Sequence, residues 1–365
     1  MSLPSLSYLI DIPGALLSLV CAKLAQLFLS PAAFSLASLF SALCVAILFL
    51  GLRRPRRKRQ IRLRVLARAL FPKRLLTSPS SRADVGYFLF NSFLAGAIFG
   101  WAILSYHLVS TAANEVLVGG FGAMQPTSLP EMYSVAILTV ALFLAYELGY
   151  WVDHYLSHRI PFLWEFHKVH HTAEVLSPLT NFRVHPVDTL VFYNILSLIM
   201  GATGGLVNYA FGKPVQPFTI AGSNVIVLVF TYLIGHLQHS HFWISFPGLW
   251  GRLFLSPAHH QIHHSTNPVH FNKNLGSCLG VWDWVFGTLH VPGKKREKLT
   301  FGVEPKSGNP HGITEGFVAP VYRAFSHVNP LPLLRGASVQ ADSEGHAGGA
   351  NRTGLERAAP TGRPA

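Results

Sequence analysis

The chain reads as an all-α protein, a multi-span integral membrane helical bundle with a histidine-rich cap. Three observations lead there. Half of the 365 residues are hydrophobic and only 12% are charged, about half the charged share of an ordinary soluble domain. Apolar runs near the ~20 residues needed to cross a bilayer recur along the chain. Eight histidines fall into three short boxes: His154-Tyr-Leu-Ser-His158, His167-Lys-Val-His170-His171 and His260-Gln-Ile-His263-His264.

Taken in order, residues 1–9 lack a basic run, so a cleaved secretory signal is not expected. Leu9 to Leu29 contains Asp11, Pro13 and Lys23 and either spans or lies in the interface. Ala33 to Leu52 is the first clear span. Arg53 to Arg74 holds eleven Lys or Arg and no acid, which accounts for most of the net charge of +13. The run directly follows an apolar stretch, so a cytoplasmic juxtamembrane segment explains it better than nucleic-acid binding. Val85 to Ser110 and Tyr133 to Val152 are further spans. Asp188 to Phe211 and Phe218 to Leu237 form a pair separated by Gly212, Lys213, Pro214 and Pro217.

Counting crossings from a cytoplasmic Arg53–Arg74 brings all three boxes to the cytoplasmic face. The boxes were not used to set that topology. Residues 245–330 are mixed in character and form a cytoplasmic cap. From Ala337 the chain is Gly-, Ala-, Ser-, Arg- and Pro-rich and reads as disordered. The expected division is therefore 1–75 (membrane segments and basic stretch), 76–330 (catalytic domain) and 337–365 (tail). Cys21, Cys44 and Cys278 are far apart, so neither a disulfide framework nor a zinc ribbon is supported.

Neutral imidazole is a metal ligand, and residues three or four apart share one helix face. Each box can aim two or three nitrogens at one point. Eight such nitrogens exceed the needs of one tetrahedral zinc and suit two iron ions with positions left for dioxygen. The expected ligands are His154, His158, His167, His170, His171, His260, His263 and His264. His239, at the end of the last span, is a ninth candidate. His236 shares a helix face with His239, and His185 either lines the site or caps a helix. His259 lies off the face of the third box.

Glu147 lies seven residues before His154, on the same helix side. An acid inside a span is costly and is usually functional or paired. It is a candidate to accept an N–H from a ligand histidine, and Asp153 is a candidate for the same role. Tyr150, Trp151, Tyr155, Phe162, Trp164 and Phe166 flank the boxes; a lipid-tail channel and an interfacial aromatic belt are both open for them.

Together these stretches resemble the fatty acid hydroxylase/sterol desaturase superfamily of membrane enzymes. Glu147 through Arg159 resembles its first box, with Glu147 where the family commonly has Asp. Leu163 through His171 resembles the second and Ser256 through His264 the third. Asn274-Leu-Gly276 and Trp282 through Thr288 resemble its closing motif. The likeness covers about Tyr133 to Val291 and is specific for the superfamily but not for the substrate.

The resemblance implies two Fe ions on the nine histidines named above, with dioxygen as co-substrate. It implies hydroxylation or desaturation of a lipid C–H bond, in a sterol, hopanoid, fatty acyl chain, ether lipid or carotenoid. Electrons would come from NAD(P)H through a separate redox protein, because the chain has no His-Pro-Gly-Gly haem segment.

Three other readings fit the sequence less well. A zinc-dependent membrane hydrolase would want a His-Glu-x-x-His box, which the chain lacks. A bis-histidine haem protein would want single histidines facing across the bilayer core. A catalytically silent lipid-binding scaffold would be expected to lose box histidines, and none is missing.

Overall fold

Helix length decides which apolar runs can cross a membrane. The computed structural model describes residues 12–29, 34–53, 63–303 and 308–328. The first eleven residues, part of the basic stretch and the expected tail lie outside them. Ile12–Phe28 (α1) is helical, and Leu36–Leu52 (α2) follows behind a Ser35 cap. Three segments are long and apolar enough to span: Pro79–Phe121, Glu131–Arg159 and Pro186–Phe211. The two other expected spans are shorter helices, α2 and Val225–Gln238. At 1.5 Å per residue, the 17 residues of α2 reach about 25 Å, short of a ~30 Å hydrocarbon core.

Pro79–Phe121 departs from the continuous helix that the sequence suggests. It starts as Pro79–Phe90 (α3), widens into a π turn at Asn91–Ala95, tightens at Gly100–Ala102 and breaks, then restarts as Tyr106–Phe121 (α4). A break at membrane depth frees backbone groups that lipid cannot satisfy. Asn194 meets that need: its Oδ1 accepts from Leu104 N at 2.9 Å and its Nδ2 donates to Ala102 O at 3.1 Å. Nearer the cap, Asn91 donates to Phe182 O and Val184 O, ahead of the next long helix.

Glu131–Arg159 (α5) has 29 residues, about 44 Å of helix, so its last turns project beyond a bilayer core and carry the first box. It ends where Ile160 turns extended ahead of Pro161, and Pro161–His171 (α6) begins at that proline. Pro186–Phe211 (α7) lies against α4. A Cβ on Gly201 would meet Val109 Cβ at 2.6 Å, and one on Gly205 would meet Ser110 O at 2.5 Å. The contacts rise together in number, so α4 and α7 run parallel. This Gly201-x-x-x-Gly205 stripe lets the two backbones approach closely. Ile137, Val140, Leu144, Leu198 and Leu206 stay exposed on the outer faces of α5 and α7, as lipid-facing positions should.

Val225–Phe230 (α8) continues through a second π turn to Gln238 and is tied to α2 by His236 Nε2 and Ser38 Oγ, 3.0 Å apart. Beyond it lies a loop-rich cap that contains Pro257–His263 (α9) and Val281–Val285 (α10). Two isolated bridges, Phe254–Leu279 and Ser265–Phe301, hold the cap loops. Ala319–Val328 (α11) closes over α6 with Phe325 against Phe162. The Lys168–Glu165 pair lies on the same side.

Candidate metal centre

All nine histidines expected as ligands meet at one end of the bundle. They form two adjacent groups. His154, His158, His167, His171 and His263 make one, and His170, His239, His260 and His264 the other; within each group the ligand nitrogens lie within 4.8 Å of one another. The helices explain the sorting. In α6, His167 and His171 are four apart and share a face, while His170 points one residue to the side, into the second group. In α9 and the residue after it, His260 and His264 share a face and His263 turns to the first group.

The first group is braced from outside. His154 Nδ1 lies 2.7 Å from Leu275 O, His263 Nδ1 2.9 Å from Lys273 O, and His167 Nδ1 3.2 Å from Asp188 Oδ2. Each of these acceptors fixes the N–H on Nδ1 and leaves the Nε2 lone pair free. The Nε2 atoms of all five rings are buried without a hydrogen-bond partner. Five orphaned acceptors aimed at one point are costly unless a cation sits there.

In the second group the Nε2 atoms crowd together. His239 lies 3.1 Å from both His170 and His264 and 2.8 Å from His260, and His260 lies 3.1 Å from His264. Those spacings approach the ~3.4 Å edges of a tetrahedron around a metal with bonds of 2.0–2.1 Å. The donor set of each group thus fits a first-row metal ion.

Burial keeps these rings neutral. It pushes His170, His171, His260 and His264 well below the ordinary imidazole range and brings His239 and His263 down to about 3. His167 differs: burial alone would lower it, but the Asp188 carboxylate holds it above its ordinary value.

Two carboxylates from the sequence reading fall in different places. Glu147 does not receive a histidine N–H. Its Oε2 accepts backbone N–H from Cys278 at 2.9 Å and Leu279 at 2.7 Å. Seven residues along a helix restore the face but leave the side chains about 10 Å apart in height, too far for that bond. Asp153 is buried beside His154, with Oδ1 unpartnered, and faces a cavity.

Three histidines flagged in the sequence have other partners. His185 caps α7, its Nδ1 accepting from Val187 N, and its Nε2 lies 3.1 Å from Phe317 O. His259 is held between Ser256 and Gly251 O, and His236 stands outside both groups against Ser38.

Sequence reasoning gave no role to Asp188, or to the loop that carries Lys273 and Leu275. That loop is itself pinned. Asp283 accepts from Leu275 N and Gly276 N, both at 2.8 Å, and from Thr288 Oγ1 at 2.6 Å. Asn274 sits at φ +57° and bonds across to His259 O, His290 O and His290 N. A Cβ at Gly276 would lie 2.6 Å from Leu279 O, so only glycine fits. The signals were present, as an acid in the first turn of a span and as the closing motif, but what they touch depends on tertiary contact.

Two cavities reach different histidines. One, about 470 Å³, meets His154, His167, His170 and His239 and extends between the broken α3–α4 segment and α7. The other, about 850 Å³, meets His158, His171, His263 and His264 and is walled by cap residues such as Asn272, Thr300 and Phe301. Of the flanking aromatics, Tyr150 lines the first cavity and Trp164 the second. Trp151 instead stacks on Phe286, 4.2 Å between centroids.

Residues 139–288 match the family model for fatty acid hydroxylases. That stretch contains every histidine of both groups. Over that stretch the chain is similar to the fatty acid hydroxylases. Among similar proteins, the ornithine lipid hydroxylase OlsE of Rhizobium tropici is 29% identical over 197 residues, 54% of this chain and 53% of that protein. Alkylglycerol monooxygenase of Danio rerio is 26% identical over 164 residues, 44% of this chain and 32% of the relative. Human cholesterol 25-hydroxylase is 26% identical over 180 residues, 46% of this chain and 57% of the relative. The chain thus spans between about a third and somewhat over half of the length of these relatives. No solved structure matches it.

Proposed function

We propose that this chain is a di-iron lipid hydroxylase, working at the cytoplasmic face of a membrane. One oxygen atom of dioxygen enters a lipid C–H bond as a hydroxyl. The other leaves as water, with two electrons drawn from NAD(P)H through a separate redox protein and two protons supplied by NAD(P)H oxidation and solvent together. The observation that carries this reading is the pair of buried histidine groups, side by side, next to a cavity that runs into the spanning helices.

His154, His158, His167, His171 and His263 would hold one iron, and His170, His239, His260 and His264 the other. Bound there, the pair would supply activation of dioxygen and removal of a hydrogen atom from an unactivated C–H bond. The protein's own part is orientation. Asp188 and the carbonyls of Lys273 and Leu275 hold the imidazoles in one tautomer. Glu147 and Asp283 act one step further out, as positioning residues for that loop. Apolar walls of the first cavity align the lipid and keep bulk water from the reacting carbon. The second cavity, walled by the cap, is the side from which a redox partner approaches. The names of the relatives point to a polar lipid, an ether lipid or a sterol as the classes to try first.

The test is product analysis in membranes carrying the chain, under ¹⁸O₂, with NAD(P)H and a redox system. A lipid gaining one ¹⁸O atom, absent for His170→Ala and His263→Ala, is expected. An unlabelled product, or product retained in both variants, would overturn the reading. An alkene without oxygen incorporation would shift it to desaturation.

A further inference from the structure

The cavity that enters the membrane region has a polar inner end. Asp153 is 4% exposed, yet its Oδ1 has no hydrogen-bond partner and it stands in the cavity wall beside His154, His167 and Asp188. A buried oxygen left unpaired costs about 1–3 kcal/mol, so the arrangement implies a donor supplied from the cavity. Asp188 Oδ2 already accepts from His167, and Asp153 Oδ1 is a buried acceptor with no partner.

The depth of the cavity can be read from its walls. Asn91 bonds carbonyls just ahead of α7, whereas Leu104 and Ala102 bond Asn194, eight residues into that helix. Moving from the histidines towards the bilayer interior, the lining changes from Asp153 and Asp188 to Phe99, Ile103, Leu190 and Phe192. Gly96 and Gly100 lie on the same wall, and a Cβ on either would meet nothing within 4 Å. That strip is open space beside the apolar lining. A lipid with its tail there brings its head end, not its methyl end, to the metal centre.

We propose that the substrate is a lipid hydroxylated close to its polar end, where an amine or hydroxyl group donates to Asp153 and the alkyl chain lies along Gly96 and Gly100. This rests on the lipid-hydroxylase reading and narrows it. It excludes, as the group at the inner end, a carboxylate or phosphate, which would bring only acceptors towards Asp153 and Asp188. It also excludes a buried methyl terminus.

The test uses the full chain in phosphatidylcholine nanodiscs and three probes with one tail: dodecylamine, dodecanol and dodecanoate. Binding is read by thermal stabilisation, with bound iron measured in each sample. Dodecylamine and dodecanol are expected to bind, and dodecanoate at least tenfold more weakly. Asp153→Asn should reduce dodecylamine binding tenfold or more while iron content is kept. As an independent variant, Gly100→Phe should abolish dodecylamine binding and spare hexylamine. Equal or tighter dodecanoate binding, or an Asp153→Asn variant that keeps the wild-type preference, would overturn the proposal. Product analysis separates it from the enzyme reading. A hydroxyl placed at the tail end would keep the hydroxylase and sink this inference. Amine-selective binding without any hydroxylated product would do the reverse.

Discussion

The five-histidine group draws on all three boxes and the four-histidine group on the second and third together with His239, and the two are held in different ways. In the five-histidine group, three rings lean on outside acceptors, Leu275 O, Lys273 O and Asp188, and their Nε2 atoms stand apart. In the four-histidine group, the Nδ1 atoms of His170, His239 and His264 have no partner, and the Nε2 atoms touch one another. The first group is therefore braced by a loop and a carboxylate. The second is held by the backbones that carry it: α6, the end of α8, and α9. The lesson is that identical ligands can depend on distant residues to different degrees. Changes in the outer bracing should weaken metal binding at one group and spare the other, whereas loss of a ligand from either group should stop turnover.

The largest effect is expected from the ligands themselves. His170→Ala and His263→Ala each remove one ring from one group, and each should reduce hydroxylated product below detection by mass spectrometry. If only one of them did so, the two groups would not act as a unit.

Next come the braces. Asp283→Ala frees Leu275 and Gly276 from their acceptor and should lower metal affinity or activity about 10–100-fold, through the five-histidine group. Asp188→Asn should act on the same group by releasing the His167 N–H. Metal titrations that resolve two sites would check this: one affinity should fall and the other stay. Equal loss at both sites would erase the distinction between the groups.

A smaller and graded effect concerns pH. Rings held below their unfolded value of about 6.5, such as His239 and His263 at about 3, take up fewer protons folded than unfolded. The metal-free fold should therefore lose stability as pH falls from about 6.5 towards 3, with each such ring contributing up to about 1.4 kcal/mol per unit. His167, held above its ordinary value by Asp188, works the other way. Its stabilisation is present below pH 6.5 and is lost as pH rises through its folded value. Thermal melts of chelated protein across that range would check the slope, and bound metal should flatten it.

The smallest effect lies away from the histidines. Gly205→Leu would force α4 from α7 and should cost about 1–3 kcal/mol, seen as a lower melting temperature with both metal sites still filled.

Much of this was legible in the sequence because its signals are local. The boxes sit at helical spacing, and Pro161 and Pro257 begin the helices that carry two of them. What escaped is tertiary. Nothing local says that a mid-span Asn194 repairs a broken helix, or that Glu147 reaches across 131 positions to Cys278 instead of along its own helix to His154. Helical phase predicts a face, but the height along that face decides the partner. Asp188 was readable as a helix-start acid and not as the acceptor for His167, because 21 residues of turn and loop set that meeting.

The most direct measurement is elemental analysis of the purified full chain, never exposed to chelator, beside His170→Ala and His263→Ala. The account predicts about two irons per wild-type chain and about one in each variant. A single zinc per chain, or an iron content that neither substitution changes, would contradict two adjacent metal sites built from nine histidines.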